Sequence, residues 1–229
     1  LGDIDPIKAL KFGPLSLEAF TPGKIFKANN GILFFDELNR CPEKLQNAML
    51  QVLEEGKATI GSYDVDFDVN FIFISTMNPE DTSTEKLSDV LLDRFDIIYM
   101  DYPETPETEK KIVVMKGEKI CNVSDEMLTL MVHFVRLLRN DDKLEKKPSV
   151  RASLGIYERA QSNALLKGRK NVEFNDVKDI LVSVLSYRIR LKPSVRYLET
   201  AENYIQEQFR KNIENTKHNL EEQESSDYR

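Results

Sequence analysis

Gly31-Ile32-Leu33-Phe34-Phe35-Asp36-Glu37-Leu38-Asn39-Arg40 is the stretch that decides how this chain folds. Four apolar residues, 32–35, follow the turn signal Asn30-Gly31 and end abruptly on two acids. So short an apolar run, without polar alternation, predicts a strand buried on both faces, as in a parallel sheet. Downstream, Pro42 suits a first helical position and Glu43 the positive end of a helix dipole. Leu45, Ala48, Met49, Val52 and Leu53 then form an i, i+3, i+4, i+7, i+8 stripe, which predicts a helix over 42–55 stopped by Gly56. Residues 58–60 and 63–69 flank Gly61-Ser62. In the second of these, Tyr63, Val65, Phe67 and Val69 alternate with Asp64, Asp66 and Asp68, the period of a β-hairpin arm. Residues 71–74 predict a second fully buried strand, Thr84 caps a helix carrying Leu87, Val90 and Leu91, and 95–100 predicts a third strand. Strand, helix, hairpin, strand, helix, strand is the order of an α/β layer fold.

On either side the pattern changes. Pro6, Pro14, Pro22 and Gly23 predict an irregular start over residues 1–30, with a short amphipathic piece near 24–28. From Thr105 onward strand signals nearly vanish. Thr105-Pro106, Ser124-Asp125 and Asn175-Asp176 each open a helix, and 151–166 is another. The expected division is an α/β part over 1–103, a helical bundle over 104–196 and a polar extension over 197–229, whose last dozen residues read as frayed.

Composition narrows the function classes. The 229 residues are 41% hydrophobic and 31% charged, with a net charge of −7 that weighs against a nucleic-acid coat. The apolar runs are too short to span a bilayer. Two cysteines, Cys41 and Cys121, form no disulfide framework and suit a reducing, cytoplasmic setting. With His133 and His218 they show no metal-ligand spacing. Arg136, Arg139, Lys143, Lys146 and Lys147 are offset by Asp141, Asp142 and Glu145, as in a solvated loop.

In open parallel sheets, ligands bind beyond the carboxyl ends of the strands. One predicted strand ends in Asp36, Glu37 and Asn39, the other in Ser75, Thr76 and Asn78 before Pro79. If the strands are parallel neighbours, these side chains share one crevice. Adjacent acids at a strand end point apart, so one can hold a hard divalent cation while the other polarises a water. The plainer reading is two solvated acids before a helix. Arg94, at a helix end, is a possible surface cation; Arg151, at a helix start, opposes the dipole and suits an anion or a structural ion pair.

Together these segments resemble the MoxR and magnesium-chelatase branch of the AAA+ ATPases. Residues 31–40 are similar to its Walker B, Thr76-Met77-Asn78-Pro79 to its sensor 1, Leu92-Asp93-Arg94-Phe95 to its arginine-finger helix and Pro148-Ser149-Val150-Arg151-Ala152 to its sensor 2. Phe20-Thr21-Pro22-Gly23-Lys24-Ile25 resembles the segment preceding Walker B in magnesium-chelatase ATPase subunits. The resemblance runs over roughly residues 15–190, in order and spacing. It implies the C-terminal part of a P-loop NTPase core, a parallel sheet with a β-hairpin insertion, followed by an all-helical lid. It also implies ATP and Mg²⁺ as cofactors. Asp36 would hold the metal through water, Glu37 would be the base, and Asn78 would position the attacking water. Arg94 would act in a neighbouring subunit's site, and Arg151 would sense the γ-phosphate. A homo-oligomeric ring, commonly a hexamer, and a von Willebrand A-type partner follow from the same resemblance, as does remodelling of a partner or metal insertion.

One departure stands out. No Gly-x-x-x-x-Gly-Lys-Ser/Thr string occurs, so the backbone nest and lysine that grip phosphates are missing from these residues. In the family that loop lies ahead of the position of Leu1, and the expectation is a truncated protein that does not turn over ATP by itself. Two other classes stay open: a non-enzymatic interaction module on the same scaffold, and a DNA-translocating relative of the replicative helicases. Asp64, Asp66 and Asp68 on the hairpin weigh against the latter.

Overall fold

The structure, a computed structural model, describes residues 2–59, 66–78 and 87–227. They fall into two compact units, Leu1–Ile98 and Tyr99–Arg229. The first unit opens with β1 (Gly2–Ile4), which pairs antiparallel with β2 (Phe20–Pro22). Between them lies α1 (Pro6–Phe12), within a segment expected to be irregular. Pro6 starts this helix instead of breaking it, because a proline at the first position forfeits no intrahelical bond. The Asp5 carboxylate accepts from the Ile7 and Lys8 amides to cap it. The short α2 (Lys24–Lys27) follows, with Ile25 buried.

The run that decides the fold becomes β3 (Gly31–Phe35). After it come α3 (Glu43–Glu55), the hairpin arms β4 (Lys57–Thr59) and β5 (Asp66–Asp68), and then β6 (Phe71–Ser75). Strands β3 and β6 are parallel, with Ile32 opposite Ile72 and Phe35 opposite Ser75. Pro42 is extended and caps α3 from outside the first turn, while Gly56 ends the helix in the left-handed region at φ 63°. Met49 and Val52 of α3 pack on Leu33 together with Ile25, Ala58 and Val69.

Two expectations are corrected here. The strands are buried on one face only: Leu33 is 8% exposed, whereas Ile32, Phe34 and Ile72 are about 60% exposed. Successive strand side chains alternate in direction, and α3 packs against one side. Residues 95–100 form no strand. Among the described residues the sheet holds β3 and β6, and without a ladder to join, the apolar Ile98, Tyr99 and Met100 stay exposed. The final helix of the unit, α4 (Asp89–Leu92), is capped by the Ser88 hydroxyl. The Gly61-Ser62 hairpin tip with Tyr63, Asp64 and Val65, Pro79 and the Thr84 cap lie outside the described residues.

In the second unit, Thr105 caps α5 (Pro106–Lys116) and Ser124 caps α6 (Asp125–Arg139). The chain continues through β7 (Leu144–Lys146), α7 (Val150–Leu166), α8 (Phe174–Leu185), β8 (Arg190–Leu191), α9 (Pro193–Arg196) and α10 (Ala201–Asp227). Met131, Val135, Leu138, Ile156, Val177, Leu181 and Leu185 form its core. The bundle is not wholly helical, since β7 and β8 pair antiparallel. Nor do the last dozen residues fray as far as Asp227, where α10 ends. Tyr204, Ile205 and Phe209 anchor α10 in the core, and the following run of Glu, Gln and Lys has good intrinsic helix propensity. Among the described residues no helix is long and apolar enough to cross a membrane.

Two buried carboxylates tie this unit together. Glu109, fully buried, receives both Arg139 amino groups at 2.8 and 3.0 Å and the Ser153 hydroxyl at 2.6 Å. Burial pushes its carboxyl up, but the bonds from Arg139, Ser153 and Arg136 outweigh it and hold the group below its usual range. Arg139 also reaches the Pro148 carbonyl at 3.1 Å and lies over the Tyr102 ring. Arg136 binds the Pro103 and Glu104 carbonyls. This corrects the expectation of a solvated basic loop, because the acid that buries Arg139 comes from α5. Asp176, the second buried acid, bonds Arg169 at 2.6 and 2.7 Å and the Glu173 amide at 2.9 Å. Arg169 above all holds its carboxyl down to about 2, from 3.8.

Removing one partner of a buried ion pair strands the other charge, so Glu109→Ala should lower unfolding stability by about 3–5 kcal/mol in a denaturant titration. For Asp176 the folded value lies below the unfolded one, so its contribution is complete above pH about 4 and is lost as pH falls toward 2. That contribution is about 2 kcal/mol. Denaturation midpoints at pH 7, 4 and 2.5 should show the loss, and Asp176→Asn should remove that part of the pH dependence.

Candidate functional site

Beyond β3 the chain passes through Asp36 into Glu37, whose backbone is left-handed at φ 55°, ψ 55°. For a side chain larger than hydrogen this conformation costs about 1–2 kcal/mol and needs outside support. The support comes from the end of β6. The Thr76 hydroxyl accepts from the Glu37 amide at 3.0 Å and donates to Asp36 Oδ1 at 2.5 Å. The Thr76 amide donates to the Phe35 carbonyl at 3.1 Å, and its carbonyl accepts from the Leu38 amide at 2.9 Å. One turn on, the nearly buried Asn39 donates its side-chain amide to the Asn78 carbonyl at 3.1 Å. Parallel pairing therefore brings Asp36, Glu37 and Asn78 to one end of the sheet, with both acids and Asn78 exposed.

Arg94 goes elsewhere in the same unit. Its guanidinium donates to the Val90 carbonyl at 2.5 Å and to Glu54 of α3 at 2.8 Å. Arg151 is exposed in the first turn of α7, within the second unit. Cys41 is buried, which pushes its thiol up and away from thiolate chemistry. His133 is exposed on α6.

Sequence reading puts Thr76 in the shared crevice without its bonds to the acids, and it misses two partners, Arg40 at 3.1 Å from Glu37 and Glu54 beside Arg94. A hydroxyl just past a strand parallel to an acid-ended strand was the available signal for Thr76. Arg40 lies three residues from Glu37, but Glu54 is 40 residues from Arg94 and gave none.

Among the described residues no three His, Cys, Asp or Glu side chains group as ligands for a metal ion. That donor set still suits Mg²⁺, which takes one or two carboxylates and completes its shell with water and phosphate oxygens. Asp36 has one oxygen engaged by Thr76 and is exposed.

Residues 13–97 match the ATPase family associated with various cellular activities (AAA), and residues 138–208 match an AAA lid domain. The chain is 30% identical over 191 residues to the chaperone MoxR1 of Mycobacterium tuberculosis, covering 69% of this chain and 50% of that protein. It belongs to the AAA+ ATPase family, in the MoxR and magnesium-chelatase branch. The magnesium-chelatase 38 kDa subunit of Chlorobaculum parvum is 27% identical over 225 residues, 84% of this chain and 61% of its own. Among solved structures, the Thermotoga maritima RuvB Holliday junction branch migration motor aligns at a TM-score of 0.48 with 15% identity, over 71% of this chain and 47% of that one. The AAA+ chain thus spans between half and about three fifths of the length of these two curated relatives. The first family match contains Asp36, Glu37, Asn78 and Arg94, and the lid match contains Arg151.

The Arg94–Glu54 pair joins a guanidinium 27% exposed to a carboxylate 61% exposed. So open a pair contributes about 1 kcal/mol at most. Glu54→Gln should accordingly shift unfolding stability by no more than that in a denaturant titration, with the shift shrinking further in high salt.

Proposed function

We propose that the end of the β3–β6 pair is the water-activating half of an ATP·Mg²⁺ hydrolysis site in a ring-forming AAA+ ATPase. The observation that carries this reading is the parallel register that sets Asp36 and Glu37 beside Thr76 and Asn78. Asp36 would hold Mg²⁺ through water, and the metal would neutralise charge on the phosphates. Glu37 is the base that orients the attacking water, and Asn78 positions that water. Arg94 is the finger that stabilises transition-state charge in an adjacent subunit. Its weak tie to Glu54 leaves that exchange open. Arg151 on the lid senses the γ-phosphate.

The 229 residues contain no phosphate-gripping Gly-x-x-x-x-Gly-Lys-Ser/Thr string, so turnover is assigned to a polypeptide that supplies one. A hexameric ring, a von Willebrand A-type partner, a cytoplasmic setting and work on a partner protein or a metal-insertion reaction complete the proposal. The missing string also favours a second reading, in which the scaffold serves as a non-enzymatic interaction module.

The test is steady-state ATP hydrolysis by the gene product that carries a phosphate loop, compared with its Glu37→Gln variant. Turnover should fall by about a hundredfold or more with nucleotide affinity little changed. Undiminished turnover in the variant would remove Glu37 from its role. Hydrolysis by the 229-residue chain itself, lost in Glu37→Gln, would overturn the division of the site.

A further inference from the structure

Thr76 is bonded to every residue of the stretch Phe35-Asp36-Glu37-Leu38. Its amide serves Phe35, its hydroxyl serves both Asp36 and Glu37, and its carbonyl serves Leu38. Two of these four bonds come from the main chain and any residue at 76 could make them. The other two pass through one hydroxyl, which accepts from the Glu37 amide at 3.0 Å while donating to Asp36 Oδ1 at 2.5 Å. A hydroxyl can do both at once because it has one donor and two lone pairs. A methyl in its place can do neither.

The position of this hydroxyl matters because of what it holds. Glu37 lies in the left-handed region, where a glutamate does not settle unaided, and no carboxamide or hydroxyl of its own is available to stabilise the turn. The bond to the Glu37 amide fixes the backbone that carries the second acid. The bond to Asp36 fixes the direction of the first. The backbone under the second acid and the direction of the first are therefore both tied to a single side chain on the neighbouring strand. The Glu37 carboxylate is steadied separately, by Arg40 at 3.1 Å.

We infer that Thr76 is a positioning residue: its hydroxyl clamps the left-handed turn at Glu37 and orients the Asp36 carboxylate, so that metal holding and water activation stay in mutual register. This inference rests on the hydrolytic reading of the site for its functional half, but its structural half stands without it.

The experiment therefore has two parts. In the 229-residue chain, amide hydrogen exchange is followed at Glu37 and Leu38 in the parent, Thr76→Val and Thr76→Ser. The valine variant preserves shape and removes the hydroxyl, so the Glu37 amide should exchange about tenfold faster while Leu38, held by the main-chain carbonyl, is unchanged. The serine variant should restore the parent rate. Equal exchange at Glu37 in all three overturns the clamp, and so does equal acceleration at Leu38, which would report general loosening. In the phosphate-loop-bearing gene product, Thr76→Val should lower kcat by about tenfold or more with KM within twofold, and Thr76→Ser should recover most of the loss. Unchanged kcat in Thr76→Val, with Glu37→Gln inactive, overturns positioning and leaves the hydrolytic reading intact. Full turnover in Glu37→Gln overturns that reading, and the exchange rates still decide the clamp.

Discussion

The register of the β3–β6 pair, with Phe35 opposite Ser75, is the constraint on which both the first unit and its site depend. Side chains alternate along a strand, so a slip of one residue would turn Leu33 off Met49 and Val52 and expose it. The same slip would carry Asp36 and Glu37 past the Thr76 hydroxyl. Burial and site geometry are thus fixed by one choice, and the hydrophobic term enforces the polar one. A fully buried leucine stabilises by about 1.5–3 kcal/mol, more than the net worth of a single hydrogen bond at the strand end. Packing sets the register, and the acids inherit their positions from it.

The two units meet the demand for burial differently. In the second, α5, α6, α7, α8 and α10 close around a continuous core, and even its charged residues Glu109 and Asp176 are enclosed with partners. The first unit has two parallel strands covered on one side, with Ile32, Phe34, Ile72 and Ile74 on the other. Parallel sheets are ordinarily covered on both faces, and two strands alone are marginal. Aromatic contacts supply part of the difference. Phe20, Phe26 and Phe67 pack mutually near the hairpin arms, and Phe73 meets both Phe35 and Phe95. That last contact shows why residues near 95 sit against the sheet without joining it: a ring can reach β6 where no backbone ladder is made.

What the sequence made legible was what depends on local pattern. The stripe from Leu45 to Leu53 and the stop at Gly56 specify α3, and Thr105 and Ser124 announce their helices through caps. The acids at the end of an apolar run, read with Asn78 at the end of another, located the candidate site before any geometry was known. What failed depended on neighbours distant in the chain. Residues 95–100 have strand composition, but a strand is made by its partner. Arg139 looks solvated until Glu109, 30 residues away, is placed beside it. Thr76 reads only as one polar residue at the crevice until the parallel pairing puts the amide of Glu37, 39 residues away, on its hydroxyl. The helical run to Asp227 has another cause: a polar stretch reads as frayed, yet Glu, Gln and Lys favour helix as readily as they favour water.

Charge placement separates the remaining functional classes. A chain that tracks nucleic acid needs cations free to displace counterions from a phosphate backbone. Here the hairpin arms set Lys57 opposite Asp68, and the sequence between these two residues adds Asp64 and Asp66. In the second unit, Arg139 is committed to Glu109, Arg169 to Asp176 and Lys167 to Asp176 and Asp179. Arg136 ends on Glu109 and on the Pro103 and Glu104 carbonyls. Withdrawing Arg139 or Arg169 toward a phosphate would strip a buried acid of its bidentate partner, at a cost larger than one phosphate contact returns. These cations therefore hold the second unit together, and they do nothing to offset a net charge of −7 in favour of a polyanion.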